Sequence, residues 1–413
     1  IIKISSFSYI MGILFIRYNI KDKDYLDKDF TYMKKLFLIL TCIFVIFGSA
    51  FAEMLNSPTW GYSVDLPEEF VLVDKNGADS YMFENAFISS SVIIKAYKKD
   101  RFSSSLEAME TVMNQLGAEF ECAETDWRNT DCIVSQFAFN LGGTSNTGWA
   151  VSSLLQDSKG YVVMLCYSPT EVFYDLEQFI ISCVDSLCID YGSYYNPGPI
   201  TSFAFPKGET ENHSIEIDGE KINFTLDSSD IEAEKFVIER EYAVLCLYQD
   251  SEMWIEAWQR YYRQVYKNAY SRLSKAAFNI YNKLIKNCNS ENADVEMAQK
   301  LLSWTQSFNY QRDFTSADFT PITAAITGTG SDCDSRAMLL ACLLHHMNYD
   351  TCLFVSAEFS HALFGIALDK AGAKINIDGR QFLLGETTAQ VDIGLVPASM
   401  SQTDKWIFVE LNQ

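Results

Sequence analysis

From residue 57 to residue 190 the chain is dominated by short runs of apolar and polar positions. WGYSVDLPEEFVLV, SSSVIIKAYKK, DCIVSQFAFN, TGWAVSSLLQD and YVVMLCYS each read as a strand, with a hairpin turn at Ser158-Lys159-Gly160 before the last. Two stretches have a helical period instead. SLEAMETVMNQLGAEF places Leu106, Met109, Val112, Met113 and Leu116 on one face, and YDLEQFIISCVDSL reads as a closing helix. Strands with a helix, more strands and a final helix predict an α+β domain with an antiparallel sheet over residues 53–195.

The segment DYGSYYNPGPI, residues 190–200, gathers Gly, Pro and Asn and reads as a linker. Residues 196–249 then hold a small β unit: TSFAFP, and HSIEIDGEKINFTLD with an Asp218-Gly219 hairpin turn. EKFVIEREYAVLCLY, which follows, can be helical. Residues 252–290 form a long helical region interrupted near Ser271. Its stripe of Trp254, Trp258, Tyr261, Tyr262, Val265 and Tyr266 is expected to be a packing face. NADVEMAQKLLSWTQSFNYQRD predicts a further helix.

TGSDCDSRAMLLACLLHHM, residues 329–347, carries the densest chemistry. Ser331 or Asp332 can cap a helix whose Leu339, Leu340, Leu343, Leu344 and Met347 form a broad apolar stripe, and Asn348 can end it. Cys333 then sits in the first turn, where free N–H groups and the helix dipole favour a thiolate. Cys342 falls among leucines and is expected to be a packing residue. A zinc site is excluded by pattern, since HExxH and CxxC are absent and His345 and His346 are adjacent. At 1.5 Å per residue those two histidines lie about 18–20 Å along the helix from Cys333, out of reach of its proton.

His361 is left as the base. It opens HALFGIAL, which follows the strand TCLFVSAE across a short turn, so a cysteine at a helix start faces a histidine on the sheet. Glu386 ends the strand FLLGETT and can orient the imidazole. Asp378 is the alternative acid, but Asp378-Gly379 is a turn pair expected at a hairpin tip. For an oxyanion, the Cys333 backbone N–H needs a second donor, and Gln306 and Trp304 are the candidates.

Composition narrows the setting. The hydrophobic share of 48% against 21% charged is that of a globular protein, and 413 residues predict two or three domains. The formal net charge of −22 argues against nucleic acid as a partner. MKKLFLILTCIFVIFGSAFAE, residues 33–53, has lysines, an apolar run and small residues at Ala50 and Ala52, the layout of a secretory signal cleaved after Ala52. The run from Leu36 to Ala52 falls short of the roughly 20 residues a bilayer needs, so no stable membrane span is expected after cleavage. Residues 1–32 read as an upstream, non-native extension with Met33 as the start. The expected location is periplasmic or extracellular. There Cys122 and Cys132 would be the most plausible local disulfide among the cysteines.

Two resemblances follow. The order of elements in residues 53–195, with "GYSVDLPEEF" opening and "FIISCVDSL" closing, resembles the PsbP-like sandwich of small exported domains, which implies no activity. Cysteine in "GSDCDSRAMLLACLLHHMNYD", histidine in "SHALFGIAL" and an acid in "FLLGETTA" resemble the transglutaminase-like superfamily with its papain-like core, over residues 250–413. That resemblance implies that Cys333 attacks an amide or peptide carbonyl of a protein or peptide through a thioester. His361 would act as base then acid, and Glu386 would hold the imidazole, with no cofactor and no metal. The superfamily also includes members without catalysis, so a peptide-binding module is the alternative. Ser331 stands where Gly is usual, and Glu386 where many relatives have Asp.

Overall fold

A computed structural model of the chain describes residues 54–411 apart from 290, 313–316, 329 and 401. The signal at 33–52, the extension at 1–32 and Cys42 lie outside the described residues. The first alternating stretch is two strands, not one. Pro67 removes a donor and Glu69 has φ 66°, so β2 (Ser63–Val64) stops and β3 (Val71–Asn76) starts afresh. β2 pairs instead with β1 (Leu55–Asn56) and β10 (Leu187–Cys188) in a small three-stranded sheet.

β3, β4 (Ser80–Asn85), β5 (Ser90–Lys98), β6 (Glu119–Glu124), β7 (Cys132–Leu141), β8 (Thr144–Leu154) and β9 (Gly160–Pro169) form a seven-stranded antiparallel sheet. Its order is β3-β4-β5-β9-β8-β7-β6. Central β9 is buried at every residue but the last, because both its faces are covered. Val163 and Leu165 join Met109 and Met113 of helix α1 (Ser105–Leu116), whereas Val162, Met164 and Cys166 join Phe179 and Val184 of α2 (Phe173–Asp185). That is why YVVMLCYS is a continuous apolar run. Full burial of Met109 or Met113 stabilises by about 1.5–3 kcal/mol. α1 is shorter than its periodic stretch suggests. Gly117, at φ 64°, terminates it, and the residues beyond turn into edge strand β6.

The expected linker is a packed joint. Tyr194 and Ile200 are buried, Asp185 accepts from Ile200 N at 2.6 Å, and Trp127 Nε1 donates to Pro197 O at 2.8 Å. α3 (Pro199–Ala204) leads from it to the hairpin β11 (Thr210–Ile217) and β12 (Glu220–Asp227). Asp218 and Gly219 both take the positive φ that a tight hairpin turn requires.

Helices α4 (Asp230–Cys246), α5 (Trp254–Tyr270), α6 (Ser274–Leu284), α7 (Ala293–Gln306), α8 (Ile322–Ala325) and α9 (Cys333–His346) follow. α5 and α6 are the long helical region, divided by a 3-10 turn at Ser271–Leu273. Tyr261, Tyr262, Val265 and Tyr266 of the stripe are core, while Trp254 stays partly exposed. α9 packs against β13 (Thr351–Ser356) and β14 (His361–Ile366) of a five-stranded antiparallel sheet. With β15 (Lys374–Ile377), β16 (Arg380–Gly385) and β17 (Ile407–Glu410) the order is β15-β16-β14-β13-β17. Helices close over its other faces, so α9 is buried nearly all round, beyond a one-sided stripe. The class is α+β.

No disulfide forms among the described cysteines. Cys122 lies opposite Ser135 in the β6–β7 ladder, three residues along from Cys132, so the expected pair is out of register. No helix of the described residues is long and apolar enough to cross a membrane.

Candidate functional site

Asp332 is the cap of α9: its Oδ1 accepts from Ser335 N at 2.6 Å and its Oδ2 from Ser335 Oγ at 3.0 Å. At the other end Asn348 takes φ 67° and stops the helix. Cys333 therefore occupies the first turn, as its sequence position implies, but it is 1% exposed. Its Sγ has Asp334 Oδ2 at 3.5 Å. The Ala362 backbone N–H, one residue past His361, donates to the sulfur, and the Tyr310 hydroxyl also reaches it. No hydrogen bond joins Sγ to the His361 ring.

His361 begins β14, and its Nε2 lies 2.8 Å from Glu386 Oε2. The pairing follows from the sheet: β16 runs beside β14 with Gly385 opposite Phe364, so the residue after Gly385 extends toward the start of β14. Glu386 Oε1 accepts from Thr388 N at 2.7 Å and Thr388 Oγ1 at 2.6 Å. Burial raises the Glu386 carboxyl, but hydrogen bonds and charge from His361, with Thr388, outweigh it and hold the group below the usual range. Asp378 sits at φ 48° in the exposed turn between β15 and β16, away from the imidazole. The Trp406 ring stands at 6.5 Å from the His361 ring, tilted by 62°.

The thiol does not have the electrostatics expected of a helix start. Burial pushes it well up, and Asp334 adds to the shift, as does Asp332. Burial, with the two carboxyls, thus keeps Cys333 as a thiol despite its place at the helix start. Those carboxyls are themselves raised: Asp332 to about 7 by burial and by Asp334, and Asp334 by burial, although its Oδ1 accepts from Tyr262 OH at 2.5 Å.

Neither oxyanion candidate is aimed at the sulfur. Both amide hydrogens of Gln306 are spent on backbone carbonyls, Glu386 O at 2.8 Å and Val391 O at 2.9 Å, so this side chain ties α7 to the segment carrying the acid. Trp304 is half-buried, edge-on to Phe308 at 4.8 Å. His345 and His346 are half-buried: the first bonds Tyr266 OH, and the second stacks on Tyr270 at 3.8 Å with Nε2 2.7 Å from Tyr270 O. Burial, with His346 nearby, lowers His345 to about 4.

Three residues that the sequence did not single out shape the site. Tyr262 comes from the aromatic stripe read only as core. Arg336 is 1% exposed and donates to Ser331 Oγ at 3.1 Å, Thr387 O at 3.2 Å and Phe308 O at 2.8 Å, clamping three segments around Cys333. Tyr310 lies under that guanidinium at 5.3 Å and pairs with Ser331 in an isolated parallel bridge. The one available signal was Arg336 lying a turn after Cys333, inside an otherwise apolar helix. Among the described residues no group of three or more His, Cys, Asp or Glu is placed to hold a metal ion.

No protein-family model matches the chain, and no curated protein does. Several solved structures resemble it weakly. Cyanobacterial PsbP from Synechocystis sp. PCC 6803 matches with TM-score 0.27 and 12% identity, over 35% of this chain and 95% of that one. The Ran-binding protein Mog1p of Saccharomyces cerevisiae matches with TM-score 0.26 and 12% identity, over 34% and 96%. A crystal structure from Bacteroides thetaiotaomicron spans 82% of this chain and 88% of its own, with TM-score 0.23 and 13% identity. At these scores the likenesses carry no argument about function.

Proposed function

We propose that residues 250–413 are a transglutaminase-like cysteine unit that acts on amide or peptide bonds of a protein or peptide. The observation that carries this reading is the His361 Nε2 to Glu386 Oε2 hydrogen bond at 2.8 Å, with the Cys333 sulfur on the backbone N–H of the residue after His361. With Nε2 engaged by the acid, Nδ1 is the nitrogen left for the thiol proton. Because Cys333 is held protonated, proton loss to His361 accompanies attack of sulfur on the carbonyl carbon. The C–N bond then breaks, the imidazolium returns the proton to the leaving amine, and a thioester remains. Water or a second amine, deprotonated by His361, releases the acyl group. In this reading the preceding residues 53–195 are a PsbP-like sandwich without chemistry of its own, and export follows cleavage after Ala52.

The second reading, a peptide-binding module without turnover, is favoured by one observation: Sγ is hydrogen-bonded to Asp334 and not to the imidazole. Incubating the protein with a glutamine-bearing protein and a fluorescent primary amine separates the two readings. Acyl transfer predicts covalent labelling or amine release that is lost in Cys333→Ala. Iodoacetamide modification of Cys333 no faster than of Cys342, with no labelling, leaves the binding module as the reading.

A further inference from the structure

A second site lies apart from Cys333, where the sandwich, the β11–β12 hairpin and the start of α6 meet. A cavity of about 720 Å³ opens there, lined by Arg128, Lys207, Arg272 and Lys275 among others. It continues through Thr225, Ser274 and Lys275 into a smaller cavity of about 380 Å³ that holds Phe278, Asn212 and Asn279. None of these residues contributes to the Cys333 site.

The groove has three chemical parts. Arg128 is paired with Asp190 at 2.6 Å and Arg272 with Asp230, so these two cations are already committed. Lys207 and Lys275 are exposed and enter no ion pair among the described residues. Free ammonium groups projecting into a concavity stand out in a chain of net charge −22. Phe278 is 68% exposed, a ring with a free face at the groove. The lining also includes side-chain amides and hydroxyls, Asn129, Asn196 and Ser274 among them, which donate and accept without charge.

We infer that this groove binds an oligosaccharide bearing uronic-acid carboxylates. A sugar ring lays its C–H face on an aromatic ring while its hydroxyls meet amides and hydroxyls. The two lysines then take the carboxylates. Asp126, Asp227 and Asp230 also line the groove, so it suits widely spaced single charges that can meet the lysines and not the dense phosphate charge of a nucleic acid.

Calorimetric titration of the full chain tests this with three probes: an oligogalacturonide, a neutral galacto-oligosaccharide of equal length, and inorganic phosphate. The oligogalacturonide should bind saturably, the neutral sugar at least about tenfold more weakly, and phosphate should not displace the uronide. The double variant Lys207→Ala, Lys275→Ala should lose about tenfold in affinity and Phe278→Ala about fivefold, while Lys235→Ala, outside the groove, changes nothing. All of these side chains are exposed, so the variants keep their fold. Absence of saturable uronide binding, equal affinity for the neutral sugar, displacement by phosphate, or full affinity in the groove variants overturns the inference.

Discussion

Helix α5 has a buried polar cluster on each side, and the two are balanced oppositely. Arg260 and Tyr262, two residues apart, point to opposite faces. On the first face Arg240, Arg260 and Arg263 meet Asp65, Asp185 and Glu241: Arg240 reaches Asp185 at 2.6 Å, Arg260 reaches Glu241 at 2.9 Å, and Arg263 reaches Asp65 at 3.2 Å. Burial would lift Asp65, but Arg263 and Arg260 outweigh it and hold the carboxyl below its usual range. On the second face Tyr262 meets Asp334, beside Asp332 and Cys333, and Arg336 spends its donors on carbonyls and a hydroxyl. Matched charges fix protonation on the first face and join the sandwich to the helices. Unmatched acids leave protonation adjustable on the second, in keeping with the proton transfer proposed for Cys333.

Unbalancing the first cluster should have the largest effect. Arg260→Ala leaves the buried carboxylates one cation short, with Glu241 held by Arg240 alone at 2.8 Å, and should cost about 3–5 kcal/mol by urea denaturation, whereas Arg260→Met combined with Glu241→Gln should cost less. Glu68 is the exception on that face: it is raised to about 7 by burial, and its Oε2 has no hydrogen-bond partner. A raised carboxyl contributes stability fully below its unfolded value near 4.5 and loses that contribution as pH climbs through about 7. Glu68→Gln should therefore remove a pH-dependent loss of up to about 3 kcal/mol, read as the difference between denaturation at pH 4.5 and at pH 7.5. An unchanged pH profile would show that Glu68 is ionised in the fold.

On the second face, Asp334→Asn removes a negative charge beside the sulfur. Cys333 should then react with iodoacetamide about tenfold faster at pH 8, equivalent to one unit of thiol pKa. A slower reaction would mean that Asp334 activates the thiol. The smallest effect is expected where a charge pair is in water: Lys405→Ala, which breaks a 2.7 Å contact with Glu358, should leave the denaturation midpoint unchanged within error.

What could be read from the sequence divides along the same line. Elements set by local period were legible: α2, the break at Ser271, the Asp218-Gly219 turn and the start of α9 all have the residues that local geometry demands. β6 was hidden because Gly117 ends a helix inside an apolar period that continues past it. β4 was missed because SYMFEN is short and mixed. For the site, the order Cys333, His361, Glu386 was visible because each begins or follows a recognisable element. The surroundings of the sulfur were not. Tyr262 and Asp334 are 72 residues apart and meet only through tertiary packing. Likewise Gln306 is a candidate second donor by sequence, and only the path of residues 386–391 shows where its amide goes.

The cluster on the sandwich side also sets an order of events during synthesis. Arg260 Nε donates to Asp65 O across 195 residues of chain, and Gln264 reaches Asp65 Oδ2 across 199. Asp65 and Asp185 leave the ribosome long before the arginines that neutralise them exist. The nascent sandwich must keep that face wet until α4 and α5 arrive, so late docking is the expected slow step, and a fragment ending after α2 would expose the unneutralised face to water.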